Sequence, residues 1–406
     1  MKIFNPWKGV GEQPREIWVL SAAMLVNRIG TMILPFLVLY LTKELHFSDS
    51  RAGAMFAFYG AGTLIASPAS GALSDAFGAL RVMRVSLIGA GLVALVFPFV
   101  RGFVPVAAVT LALSLLTELF RPASMTIVSQ FADPERRKPA FALTRLAINL
   151  GMSIGPAIGG LLAGISFVAL FWVDGLTSLA AALVLFLALT LRAAPRATQP
   201  DPARKSGISF RALRDPRMAW LLIAQVPIGI VFFQFESAMP LFLVREMHFS
   251  ATTYGLLFTI NTVLIVALEI PLNLATAHWS HRRTLSIGAL LVGLGFGVLA
   301  FAGGTWVVVL SVVAWTFGEM VLFPGLSAYV ADISPDDRRG EFMGLYLMSF
   351  GLSFSIGPWL GTAVLDRFGA TSLWVGCAAI GVFSSIAMAF LPGTAAPANM
   401  EKAAGA

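Results

Sequence analysis

Polar residues along this chain come in short clusters, separated by apolar runs long enough to cross a bilayer. A helix spans the hydrocarbon core with about 20 apolar residues. Runs of about that length lie near 17–41, 51–70, 85–101, 104–131, 140–163, 167–191, 217–244, 252–274, 285–302, 305–330, 341–364 and 371–391. Glycine and proline occur inside many of them, as membrane helices tolerate. The pattern predicts an all-α membrane protein with twelve transmembrane helices. The opening residues, MKIFNPWKGVGEQPREIW, carry prolines and charges where a signal peptide has its apolar core, so the first run is expected to insert and stay.

The one long polar stretch, 192–216, is rich in Pro, Ala, Ser and Arg and reads as a cytoplasmic linker. It separates an N-terminal six-helix bundle, 1–191, from a C-terminal six-helix bundle, 217–406, that ends in a short cytoplasmic tail. The halves repeat at an offset of 202 residues. ELHFSDSRAGAMF (44–56) matches EMHFSATTYGLLF (246–258), and Pro122 matches Pro324. Arg136–Arg137 match Arg338–Arg339, and Ser153–Pro156 match Ser355–Pro358. Two pseudo-symmetric six-span halves are the architecture of transporters that work by alternating access around a midplane site.

Composition excludes a soluble fold. Hydrophobic residues make up 57% of the 406 and charged residues 12%, against about a quarter charged in soluble domains. Of the 28 Lys and Arg, 20 fall in the tails and loops on the side of the N-terminus, five on the other side and three inside spans. The positive-inside rule then places both termini in the cytoplasm of a cell (inner) membrane protein. It also accounts for the net charge of +7, so no nucleic-acid partner is expected. A single cysteine, Cys377, leaves no internal disulfide, metal cluster or redox pair. His278 and His281 stand in a loop beside Arg282 and Arg283 without nearby carboxylates, a poor metal site. GMSIG (151–155) fits the hydrolase nucleophile pattern but lies in a membrane helix, and no span holds a histidine base. GLGFG (293–297) follows no strand, and no phosphate-binding loop is present. Neither an enzyme, a metal site nor a cofactor is expected.

Two motifs carry a resemblance. GALSDAFGALRVMR (71–84) presents Gly71, Asp75, Gly78, Arg81 and Arg84 in the loop after the second span. Gly71 and Gly78 suit tight turns and close helix approach, and Asp75 suits a helix N-terminus or a neighbouring arginine. GMSIGPAIGG (151–160) places Gly151, Gly155, Pro156, Gly159 and Gly160 in the fifth span, a small-residue face beside a proline kink. Together with the twelve spans and the central linker, these resemble the major facilitator superfamily over about residues 17–391. The second motif is similar to the signature of its twelve-span drug–proton antiporters. The first motif departs from the family pattern in bringing its basic residues late, after Ala79 and Leu80. The second half repeats GPWLG at 357–361, and Arg121 lacks the Gly/Gln pattern that follows the fourth-span arginine of multidrug exporters. The resemblance implies a gating loop in the first motif and a tight, exchange-favouring contact in the second.

The resemblance also implies that the first, fourth, seventh and tenth spans line the cavity, and each holds an ionisable residue. Arg28 is in the first, Glu118 and Arg121 are in the fourth, Glu236 is in the seventh and Glu319 is in the tenth. Each costs roughly 2.5–3.5 kcal/mol at a helix centre, so each needs a partner, water or a function. Glu118 and Arg121 share a helical face and are expected to pair. Glu319 lies roughly 20 Å into its span, near the midplane, at 1.5 Å per residue. Glu319 and Glu236 are therefore the candidate proton carriers. Glu269, Asp174 and Arg145 lie nearer span ends and are expected to be structural, with Asn149 and Asn261 as interhelical glue. The expected function is secondary active transport: proton-coupled export of a small amphipathic compound by a monomer in the lipid bilayer. A proton symporter or facilitator for a nutrient, peptide, lipid or organic anion is the alternative. A receptor or scaffold would be expected to carry a large extramembrane domain.

Overall fold

A computed structural model describes residues 11–132, 136–189, 211–335 and 338–393. Most of the expected linker and the C-terminal tail lie outside them. Among the described residues, ten helical segments are long and apolar enough to cross a membrane. The last, α13 (Arg339–Ala389), is two helices joined at Gly369, whose φ of 77° favours glycine. α3 (Asp49–Phe77) has 29 residues and an Ala-, Gly- and Ser-rich sequence. Counting both gives the twelve helices of an all-α membrane fold. The remaining long helices are α4 (Ala79–Val96), α5 (Phe103–Phe131), α6 (Arg137–Ile165) and α7 (Phe167–Ala188) in the first half. In the second half they are α10 (Ala251–Thr276), α11 (His281–Gly297) and α12 (Thr305–Ile333).

Two spans expected to be continuous are interrupted. The first consists of α1 (Arg15–Gly30) and α2 (Ile33–Lys43). The seventh runs through α8 (Pro216–Phe232), a 3-10 turn at Phe233–Glu236, the short α9 (Ala238–Leu241) and a π turn at Phe242–Glu246. A proline ring clashes with the carbonyl four residues before it in a helix. Pro35 follows Thr31 by four residues and Pro240 follows Glu236 by four, and the breaks fall at those places. Pro122, Pro156 and Pro324 are carried inside unbroken helices, and Pro358 inside α13 without a break at its own position.

Cα packing divides the chain into one unit of Met1–Lys205 with Met239–Thr262 and another of Ser206–Ala238 with Val263–Ala406. In the first, α1 packs on α6 and α7, α4 on α5 and α7, and α3 on α5. Met239–Thr262 joins this unit through an Arg245–Asp49 ion pair and an edge-to-face contact of Phe36 and Tyr254, 5.4 Å between centroids. In the second unit α11 packs on α12 and α13, and α8 on α13.

The sequence repeat produces a structural one. His46 and His248 both adopt positive φ, 54° and 58°, and the next residue folds back identically: Phe47 N–H to the Leu41 carbonyl, Phe249 N–H to that of Leu243. Ser48 and Ser250 then accept the amides of Arg51 and Thr253, as helix N-caps do. Close crossings recur as well: Gly91 meets Gly175 in the first unit, and Gly293 meets Gly381 in the second.

At the start of α8 a buried pair anchors the seventh span. Arg217 Nε and Nη2 donate to the two carboxylate oxygens of Asp215 at 3.0 and 2.6 Å. Burial pushes the Asp215 carboxyl up, but the hydrogen bonds from Arg217 outweigh it and hold the group below its ordinary range. A carboxyl so lowered adds stability above its unfolded-state pKa of about 3.9. That stability is lost as pH falls through the lower folded-state value. Asp215→Asn is therefore expected to cost about 3 kcal/mol at neutral pH. Thermal unfolding of parent and variant should converge in acid; a gap that stays constant would contradict the pairing.

Candidate functional site

Four of the ionisable residues singled out in the sequence come together in the first unit. Arg28, in the last turn of α1, is within electrostatic range of Glu118 and Arg121 on α5, Tyr59 on α3 and Asp174 on α7. Its Nε is buried without a hydrogen-bond partner among the described residues. The expected Glu118–Arg121 pair within α5 is not closed among the described residues. Three residues of separation put both on one face, but Arg121 is exposed, and Glu118 interacts more strongly with Arg28 than with Arg121. Tyr59 escaped the sequence reading because a tyrosine in a span looks like packing.

The fifth-span glycines explain how Arg28 is held. A Cβ on Gly151 would lie 2.5 Å from the Arg28 Cβ. On Gly155 it would lie 3.0 Å from the carbonyl oxygens of Arg28 and Ile29, and on Gly159 it would meet Phe36 and Met32 at 2.9 and 3.2 Å. These three glycines form one face of α6, and the end of α1 and the break after it lie directly on that face. Gly160 serves a second contact: a Cβ there would lie 2.7 Å from the Ala251 carbonyl of α10, where Gly255 in turn packs over the Pro156 carbonyl. Close packing of this kind draws helices together through van der Waals contact where lipid supplies no hydrophobic drive.

The second unit repeats the device. A Cβ on Gly357 would lie 3.0 Å from the Ile230 carbonyl, and Gly361 packs against the Gln234 side chain, whose Nε2 donates to the Gly357 carbonyl at 2.8 Å. The eleventh-span glycines thus seat the end of α8 and the 3-10 turn that carries Glu236. Glu236 Oε2 is buried with no hydrogen-bond partner among the described residues. Beside it in sequence, Phe235 stacks on Trp315 at 5.8 Å, and Phe232 meets Phe323 edge-on at 4.8 Å. Glu319 stands one turn beyond Trp315 on α12, half-buried, and has interaction partners in the structure.

The gating-loop residues fall into two groups. Gly78 has φ 88° and ends α3, so only glycine fits without strain. Asp75 and Arg81 are exposed, and a Cβ on Gly71 would touch nothing within 4 Å, so the close helix approach expected there is not made. Arg84 turns inward. It is buried and donates to the carbonyls of Leu185 and Leu189 at 2.8 and 2.5 Å, a cation on the C-terminal end of α7.

A family model of the Major Facilitator Superfamily matches residues 20–253 and 235–406. The chain is similar to the uncharacterized MFS-type transporter YqjV of Bacillus subtilis (strain 168), 28% identical over 359 residues that cover 87% of each chain. It is also similar to the class C tetracycline resistance protein of Escherichia coli, 26% identical over 373 residues, covering 89% of this chain and 91% of that one. Among solved structures, the nucleoside transporter NupG superposes with a TM-score of 0.79 at 16% identity, covering 92% of this chain and 99% of that one. That likeness establishes the fold. These relatives are membrane transporters rather than enzymes, and the candidate spans make this a multi-pass membrane protein. The family match covers nearly the whole chain, and the fold agrees with it: the protein belongs to the Major Facilitator Superfamily.

Proposed function

We propose that the protein exports small amphipathic compounds in exchange for protons, working as a monomer with both termini in the cytoplasm of the cell (inner) membrane. In this reading 192–216 is the linker between the halves 1–191 and 217–406. The observation that carries it is the presence of carboxylates inside the spans of both units: Glu118 facing Arg28, and Glu236 and Glu319 near the aromatic cluster of Trp315. A carboxylate at that depth exchanges charge for neutrality by taking a proton, which is what coupling requires. The tetracycline resistance relative and the glycine face of α6 support the direction of transport. Purified protein in liposomes, with candidate compounds offered on one side, tests the reading through internal pH. Substrate should leave as protons enter. A second reading, uptake or facilitated passage of an organic anion, rests on Arg28 and Arg121. It would show as substrate flux with protons moving in the same direction or not at all.

The loop motif gives a separate test. The motif expected as a loop is helical, with Gly78 alone joining α3 to α4, and Asp75 is exposed in the last turn of α3, free to meet a helix N-terminus or an arginine as the protein changes state. Asp75→Asn is expected to reduce transport by about tenfold, within the range of conformational couplings, with membrane level unchanged. Cysteine accessibility from the two sides should shift with it. Unchanged transport and accessibility would remove Asp75 from the gate.

A further inference from the structure

Asp174 was expected to be a structural residue near a span end, yet it holds the break in the first span. Its Oδ2 accepts the backbone amides of Met32 and Ile33 at 3.1 and 3.2 Å. These are the amides at the start of α2, left without helical partners by the interruption. Two further contacts pin the same segment to α7. Asn27 Nδ2 donates to Ser178 Oγ at 3.1 Å, and Gly30 leaves no room for a Cβ against Thr177. The other oxygen, Oδ1, accepts no hydrogen bond among the described residues. Asp174 also lines a cavity of about 30 Å³ together with Asn27, Thr31, Tyr59, Thr117 and Ser178. Its lining is mostly apolar, but the volume admits about two water molecules and these side chains supply polar partners for them.

We infer that Asp174 is a proton-binding site in its own right, reached through this cavity, and that its protonation releases the break between α1 and α2. The ionised carboxylate accepts both amides. A neutral carboxyl is a weaker acceptor, since hydrogen bonds to charged groups are roughly twice as strong, and its O–H is free to turn to cavity water or to Thr31. Among the described residues, the ionisable groups facing Asp174 are few. Arg28 on α1 lies in electrostatic range and Tyr59 on α3 lines the cavity. Glu118 and Arg121 on α5 are in electrostatic range of Arg28. The cavity residues of α2 and α4, Ile33, Leu34, Ser86, Leu87 and Ala90, are not ionisable. Because Arg28 sits one turn before the break, and the α6 glycines hold it from the other side, loosening this segment would move the charge that faces Glu118.

The test is independent of transport direction, because no substrate enters it. Residue-resolved hydrogen exchange on the full-length protein in lipid would follow the Met32 and Ile33 amides, with the interior amides of α1 as the reference. As pH is lowered, these two should speed up relative to the reference by about 10- to 100-fold, the loss of a charge-assisted hydrogen bond. A ratio that stays constant in the unmodified protein overturns the inference. If sodium ions at fixed pH protect the two amides instead, the cavity binds a metal cation and the proton reading fails. Infrared difference spectra add a direct signature: the band of a protonated buried carboxyl should appear on acidification and be missing from Asp174→Asn. An undiminished band in that variant would place the proton elsewhere.

Discussion

Replacing Gly155 with leucine is expected to abolish transport. The Cβ alone would sit 3.0 Å from two backbone carbonyl oxygens, those of Arg28 and Ile29. Backbone cannot swing aside as a long side chain can, so α6 and α1 must separate. Overpacking of this kind costs typically about 1–3 kcal/mol, and here the displaced segment carries Arg28 and the break in the first span. The protein should still reach the membrane, with a lowered unfolding temperature and no substrate flux. Gly344→Leu is the control. It lies exposed on α13, and a Cβ there meets nothing within 4 Å, so transport should persist. Full activity in Gly155→Leu would mean that the close contact is not used.

Glu319→Gln is expected to bring proton-driven uphill export down to the level of empty vesicles while substrate binding survives. The amide keeps the shape of the side chain and imitates the protonated acid, but it can neither release nor take up a proton. It still donates and accepts hydrogen bonds, so the substrate keeps its contacts. Downhill exchange of substrate for substrate should therefore continue, because it needs no net proton movement. Two measurements separate the roles: proton release on adding substrate to purified protein, and accumulation against a gradient in vesicles. If the variant releases protons and drives accumulation like the parent, coupling passes to Glu236, whose Oε2 is buried at the break in the seventh span.

Much of this was legible in the chain because a bilayer punishes exposed backbone so heavily that span length and apolarity report directly on structure. The repeat at offset 202 was equally readable, and it returned as paired left-handed histidines, paired serine caps and the paired glycine faces of Gly155 and Gly159 with Gly357 and Gly361. Even the helix breaks had a local cause in Pro35 and Pro240, although the apolar pattern runs straight across them. The charged residues were visible for the same reason, since a charge within a span is conspicuous.

What the sequence could not determine was which groups face each other. Glu118 and Arg121 share a helical face by spacing, but the packing of α1 against α6 and α7 brings Arg28 to Glu118 and leaves Arg121 exposed. Arg84 belongs to the loop motif by position, yet the end of α7 draws it inward. Asp174 looked like a helix-end residue until α1 was seen to break beside it. The sequence by itself determined the spans, the repeat and the presence of costly charges, because these follow from composition and from each residue's local neighbours. Only the tertiary structure decided the partners, because a pairing across helices depends on crossing points set by glycines more than a hundred residues away in the chain.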